Sequence, residues 1–319
     1  MSIRRYFRIR SLQFLYAQHL SKMDSNEVEK NMLQNIKELH NLYISLLCLI
    51  LKIKENALNI INIVKKNPNL NNKININSIK KFASNSVIKI LSNNNYLITE
   101  YSSINENSGK ISWKKQDKYI LFLLQEMHKS ILDKKYFDKP CSSFEEEKNS
   151  LVKYYKNIII PNKKLVEYIE DLYLINGKEN LRIAHNMVCK TLQFIKYSTP
   201  SNFELYNVYK NNENKKFIIN LYRNTISHKK EFNKLISSTS NNWDIKRISI
   251  IDLIILQMAI CEFLYFPNIP PKATINEYIE ITKIFCMKKS KIFINGILDQ
   301  IFKFLKKKNK IFKIGEGLL

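Results

Sequence analysis

Glycine and proline are nearly missing from this chain, and that shortage constrains its fold more than any other feature. Five Gly and seven Pro in 319 residues make about 4%, against roughly 12% in average usage. Folds built on tight turns and hairpins depend on both residues. Phosphate-cradling loops of the G-x-G-x-x-G or G-x-x-x-x-G-K-[S/T] kind do not occur in the sequence. Helical periodicity fills most of the chain instead. No stretch alternates strictly enough to demand a strand. The one short candidate, Ile158-Ile159-Ile160, ends at Pro161. The expected fold class is all-α. A hydrophobic content of 45% supports a real core and excludes wholesale disorder.

Several helix boundaries are legible. Capping boxes, in which a hydroxyl and a Glu three residues on satisfy each other's backbone amides, are read at Ser142/Glu145, Ser201/Glu204 and Thr274/Glu277. Pro267, Pro270 and Pro271 end a helix running through Ile250–Phe263, because Pro lacks the donor and clashes with the preceding turn. The Asn- and Ser-rich stretches 67–77, 92–110 and 197–215 read as linkers. A weak internal echo aligns Leu151–Leu192 with Phe217–Leu256. It fits a duplicated helical unit, and it equally fits any two amphipathic segments.

The chemistry-bearing residues exclude several function classes. Cys48, Cys141, Cys189, Cys261 and Cys286 are too scattered for a disulfide framework and form no C-x-x-C pair. A reduced, cytoplasmic compartment is expected. None of the five His has a partner at zinc-site spacing, and there is no G-x-S-x-G. No metal, cofactor or enzymatic activity is expected. The longest apolar run, Leu42 to Leu51, is half of the roughly 20 residues a membrane span needs, so it reads as a buried helix. The Arg-rich start lacks a signal peptide's apolar core. A transit peptide is the alternative, but Gln13, Tyr16 and Gln18 continue a patterned helix.

The net charge of +24 needs a discount, because Lys, Asn and Ile crowd the whole chain and share AT-rich codons. Arginine is the better witness. Four of the seven Arg are Arg4, Arg5, Arg8 and Arg10. On a helix over residues 3–20, Arg4, Arg5 and Arg8 share an arc of about 100°, and Arg10 points elsewhere. Their planar donor forks suit phosphates, and the helix N-terminus adds partial positive charge. Tyr6, Phe7 and Tyr16 interleave with them and suit stacking on unpaired bases. The alternative is a solvated basic face with the aromatic residues in the core.

The opening Arg4-Arg5-x-x-Arg8-x-x-Ser11-Leu12-Gln13-x-Leu15-Tyr16 resembles that of the NusB family of transcription antitermination factors. The C-terminal third agrees more strongly. Trp243-Asp244-x-x-Arg247-Ile248-x-x-x-Asp252 is followed by Met258-Ala259-x-x-Glu262-x-Leu264 and Ile269-Pro270. Ile275-Asn276-Glu277-Tyr278-Ile279-Glu280 with Lys283, then Lys288-Lys289-Ser290-Lys291 and Phe293-Ile294-Asn295-Gly296-Ile297-Leu298-Asp299, are similar to the family's I-N-E-x-I-E-x-x-K and K-F-x-N-G-x-L-D blocks. Compact family members are about half this length, and long forms of this kind resemble those of the Bacteroidetes group. Residues 1–24 therefore read as the Arg-rich first helix, 25–212 as a helical insertion, 213–308 as NusB-like C-terminal helices and 309–319 as a basic tail.

The resemblance implies two small three-helix bundles and a non-enzymatic RNA-binding role. Such a factor binds boxA RNA together with the small-subunit ribosomal protein NusE, within the RNA polymerase antitermination complex, and supports rRNA transcription elongation. Carried over here, Arg4, Arg5, Arg8 and Arg10 would contact RNA and Gln13 would read a base edge. Lys289, which stands where some relatives carry an acid, Lys291 and Phe293 would lie near the RNA. Asp252 matches an acid that faces the ribosomal protein. Glu277 is read as a cap, and Gly296 as a site of close helix approach. Two other readings stay open: a polyanion-binding structural protein without sequence selectivity, and an rRNA-modification subunit, although the latter lacks a Gly-rich cofactor loop.

Overall fold

The structure, a computed structural model, describes residues 3–66, 76–99, 111, 113, 117–129, 142–172, 177–205, 212–239 and 245–314. Among these the regular elements are all helical, and no strand occurs. The chain is all-α, as its shortage of turn residues predicts. It divides into two compact units: unit 1 is Met1–Ile36 with Val208–Leu319, and unit 2 is Lys37–Asn207.

Unit 1 contains α1 (Ile3–Ser21), the start of α2 (Ser25–Lys66), α9 (Asn212–Ser227), α10 (Lys229–Thr239), α11 (Ile250–Tyr265), α12 (Pro271–Phe285) and α13 (Lys288–Lys307). Its hub is α11, which packs against α1, α9, α10, α12 and α13. Every residue of α11 from Ile254 to Phe263 is buried. A helix apolar on all sides can only be satisfied in the middle of a bundle. Ser249 caps it by accepting the Asp252 amide at 3.1 Å, and it stops just before Pro267. The first three turns of α2 belong here too. The Arg223 guanidinium forks onto Glu29 at 2.7 and 2.8 Å, and the Tyr222 hydroxyl donates to the Ser25 carbonyl at 3.2 Å. Beyond α13 the chain turns back, and Lys313 donates to the last carbonyls of α11, Glu262 O at 3.1 Å and Phe266 O at 2.9 Å.

Unit 2 holds the rest of α2, with α3 (Ile76–Ala83), α4 (Ser86–Ser92), α5 (Asp117–Lys129), α6 (Phe144–Tyr154), α7 (Lys163–Leu172), α8 (Gly177–Phe194) and a helical turn at 95–99. The apolar run of α2 is buried continuously over residues 42–50. Trp113 is fully buried beside it and donates to the Ser45 carbonyl at 2.7 Å. Helix α8 packs on α6 and α7. Residues 151–192 run through α6, its π-helical turn, α7 and α8, and residues 217–256 through α9, α10, a short 3-10 turn and the start of α11; in each span the last helix packs on the two α-helices before it.

Several local expectations are corrected. The capping box of α6 is Ser143 with Glu146 rather than Ser142 with Glu145. Residues 201–205 form turns and extended chain, so no helix starts at Ser201. Helix α12 starts at Pro271, which leaves Thr274 inside it as a buried side chain and not a cap. The Ile158–Ile160 segment is no strand, since α6 runs on through a π-helical turn, Tyr155–Ile159. Cys48, Cys189, Cys261 and Cys286 are free. Cys141, Trp243, Asp244, residues 67–75 and 100–110 of the linkers, and 315–319 of the tail lie outside the described residues.

Candidate nucleic-acid interface

The structure separates the arginines that sequence placed together. Residues 6–12 of α1 are all buried, so the lower part of the basic arc faces the core. The Arg8 guanidinium forks onto Glu262 of α11, Nε to Oε1 at 2.6 Å and Nη2 to Oε2 at 2.8 Å. Their side chains are 3% and 0% exposed. The Tyr278 hydroxyl donates to the same carboxylate at 2.8 Å and the Thr274 hydroxyl at 3.2 Å. The guanidinium also lies 5.4 Å from the Phe217 ring centre and 5.8 Å from that of Tyr278. Burial opposes the Arg8 charge, but Glu262 outweighs it and holds the guanidinium above its ordinary pKa. Bidentate, charge-assisted bonds of this kind are the strong ones.

Arg10 is equally internal. It is 0% exposed, its guanidinium sits 4.8 Å from the Tyr6 ring centre, and its Nη1 donates to Gln13 Oε1 at 2.6 Å. Tyr6 and Phe7 are core residues. Arg8, Arg10, Tyr6 and Phe7, read from the sequence as RNA contacts, are thus buried in the core of unit 1, and the Gln13 oxygen already accepts from Arg10. The helical wheel shows which residues share a face, not which face packs. No sequence rule flagged Glu262, although an acid in the apolar run Ile254–Phe263 is costly to bury without a cation. That cost was the available signal.

What remains exposed lies at the helix starts. Arg4 is exposed. Arg5 is half-buried and forks onto Glu277 at 2.7 and 3.0 Å, so Glu277 anchors α1 and does not cap α12. Lys288, Lys289 and Lys291, on the first turn of α13, are exposed. Glu280 links the two regions. Its hydrogen bond from Lys283, with the charges of Lys283, Arg5 and Lys291, holds its carboxyl below the usual range.

At the start of α13 a groove of about 1030 Å³ runs between α10, the start of α11 and α13. Arg247, Asp252, Lys289, Ser290, Phe293 and Gly296 line it. Asp252 is buried rather than exposed on its helix. Its Oδ2 accepts from the Ser290 hydroxyl at 2.9 Å, while Oδ1 has no partner among the described residues. Burial, helped by the hydrogen bond to Asp252, pushes the Cys286 thiol up to about 12. Ile292 is 79% and Met287 84% exposed nearby. The close approach expected at Gly296 is absent: a Cβ there would meet nothing within 4 Å among the described residues. Gly296→Ala is therefore expected to stabilise unit 1 by about 1 kcal/mol, the helix-propensity difference, as read by urea unfolding. A loss of stability would mean that the groove wall is tighter than it stands here.

The architecture and face define a helical-bundle protein with a groove bordered by cations. Among the described residues no helix is long and apolar enough to cross a membrane, and no cluster of His, Cys, Asp or Glu is suited to a metal ion. A family model described as NusB family matches residues 185–303, a span that begins inside α8 of unit 2. Three curated relatives named Transcription antitermination protein NusB align with the chain. That of Desulfatibacillum aliphaticivorans is 41% identical over 97 residues, 30% of this chain and 68% of the relative. That of Chloroherpeton thalassium is 38% identical over 105 residues, 33% of this chain and 50% of the relative. That of Salinibacter ruber is 37% identical over 103 residues, 32% and 64%. The chain spans about half to two thirds of the length of these relatives. No solved structure matches. The chain belongs to the NusB family.

Proposed function

We propose that unit 1 is a transcription antitermination factor that binds boxA RNA together with NusE and supports rRNA transcription elongation by RNA polymerase in the cytoplasm. The observation that carries this reading is the basic start of α13 beside an open groove that holds Phe293 and Asp252. Lys289 and Phe293 line the open groove, Lys291 is exposed on the same helix start, and Arg4 and Arg5 sit on the start of α1. Phosphates would be met by these cations, and an unpaired base would find an aromatic surface in Phe293. Asp252, buried with one oxygen unpartnered among the described residues, suits a basic or hydrogen-bond-donating group of NusE. Binding and positioning account for this role without covalent chemistry. On this reading residues 37–207 are an insertion between parts of a NusB-like unit, with boundaries slightly inside the 25–212 read from sequence.

The test is RNA affinity across a salt series, for a boxA oligonucleotide and its scrambled version, with and without NusE. Arg4→Ala/Lys289→Ala is expected to weaken binding and to flatten the salt slope by about 0.7 for each single-strand phosphate that is no longer neutralised. BoxA is expected to bind more tightly than its scramble, and NusE to tighten it further. Asp252→Asn is expected to remove the NusE enhancement while leaving binding of RNA alone unchanged. Equal affinity for both RNAs with no effect of NusE would instead mark a polyanion-binding protein without sequence selectivity.

A further inference from the structure

Unit 2 carries a second cavity, of about 480 Å³, between the π-helical turn, α7 and α8. That volume falls within the range of small-molecule sites. Its lining is chemically divided. Ile160, Val166 and Leu181 form an apolar part, and Lys156, Lys178 and Arg182 supply three cations. No Asp or Glu lies among its described lining residues. Among the described residues Lys178 meets Glu170 loosely, at 3.8 Å, and it is 81% exposed. Lys178 and Arg182 sit in the first two turns of α8, where the helix N-terminus adds partial positive charge.

The back of the cavity is built and unfinished. A π turn is a frequent companion of functional sites, because it re-aims a side chain at a cost in helix regularity. Here it carries the fully buried Tyr155, whose hydroxyl meets His185 Nδ1 at 2.8 Å. That bond fixes the imidazole ring. His185 is 4% exposed and lines the cavity. Its other nitrogen, Nε2, is buried with no hydrogen-bond partner among the described residues. Burial pulls the His185 pKa down to about 4, so the ring is neutral at pH 7. A buried polar atom left without a hydrogen bond is costly, and a ligand atom bonded there would offset that cost. Asn186 and Gln193 add amide groups to the same wall.

We propose that this cavity binds a nucleoside monophosphate group, either as a free nucleotide or as the phosphorylated end of an RNA. The phosphate lies against Lys156, Lys178 and Arg182. The flat base lies on Ile160, Val166 and Leu181, with its polar edge toward His185 Nε2 and Asn186. The assignment is independent of the RNA face on unit 1.

The experiment is isothermal titration of the full chain with AMP, UMP, GMP and CMP, with inorganic phosphate and adenosine as half-ligand controls. A 5′-phosphorylated hexanucleotide RNA and its unphosphorylated counterpart distinguish the two sources. At least one mononucleotide or the phosphorylated RNA end is expected to bind at least tenfold more tightly than phosphate or adenosine. Arg182→Gln, at an exposed position, and Val166→Trp, which fills the cavity from a half-buried wall, are each expected to weaken that binding at least tenfold. Thermal melting establishes that both variants remain folded, and Arg4→Ala is expected to leave this binding unchanged. No binding by any nucleotide or RNA end at 1 mM overturns the proposal. So does phosphate binding as tightly as any nucleotide, or affinity unmoved by both variants.

Discussion

Arg8→Ala is expected to destabilise unit 1 by about 3–5 kcal/mol, the usual consequence of leaving one member of a buried ion pair alone. Glu262 would be left 0% exposed, with the bidentate fork gone and the Tyr278 and Thr274 hydroxyls as its remaining side-chain hydrogen bonds among the described residues. Typical domain stabilities are about 5–15 kcal/mol, so much of the protein could unfold under mild conditions. Urea unfolding followed by circular dichroism reads the effect. Arg8→Lys keeps the charge but loses the fork, and should fall between wild type and alanine. Arg8→Met/Glu262→Leu removes both charges at similar volume and should recover most of the loss, because replacing a buried pair with apolar groups is often neutral. If Arg8→Ala is as stable as wild type, the pair is dispensable and Arg8 returns to the RNA face. The same logic governs binding experiments: lost RNA affinity in an Arg8 variant would report folding, and Arg4 is the informative position.

The second large effect is on pH. His185 titrates near 4 in the folded protein because burial disfavours its charge, against about 6.5 in the unfolded chain. Between those values the unfolded state binds the extra proton, so stability rises with pH. The full contribution is present above pH 6.5 and is lost as pH falls toward 4. From pH 7.5 to pH 5 unit 2 is expected to lose about 2 kcal/mol. Trp113 fluorescence in a Trp243→Phe background follows unit 2 specifically. His185→Phe should flatten the pH dependence. A slope unchanged in that variant would assign the loss to other groups.

Much of the fold was legible because it depends on local rules. Gly and Pro scarcity, the continuous apolar run of α2 and the Pro cluster after α11 each act within a few residues. The capping boxes were less secure. Thr274 and Glu277 have the right spacing, but Pro271 starts α12 a turn earlier. Both side chains are then recruited by α11 and α1, as partners of Glu262 and Arg5. Tertiary packing took over residues that local pattern had assigned to a cap. The site shows the same limit. Motif spacing identified α1 and α13, but the depth of Arg8 and Arg10 depends on helices more than 200 residues away. Gly296 failed differently: a glycine in a helix signals either crowding or open space, and only coordinates distinguish the two. The cavity at His185 left no trace in the sequence, because its parts come from three elements and match no motif.

The bond between Arg8 and Glu262 also sets an order of events during synthesis. Its two ends are 254 positions apart. At 5–20 residues per second, roughly 13–50 s pass between the making of the two residues. Unit 2 is contiguous, so all of its residues are made before α9 to α13 exist. Helix α1, made before all of unit 2, is therefore among the last elements to find its place. Until α11 arrives, it carries Arg8 and Arg10 without the core that later encloses them, as a short basic peptide open to proteases, chaperones or any nearby polyanion. A chain interrupted before Glu262 would have all of unit 2 and would leave α1 without its anchor.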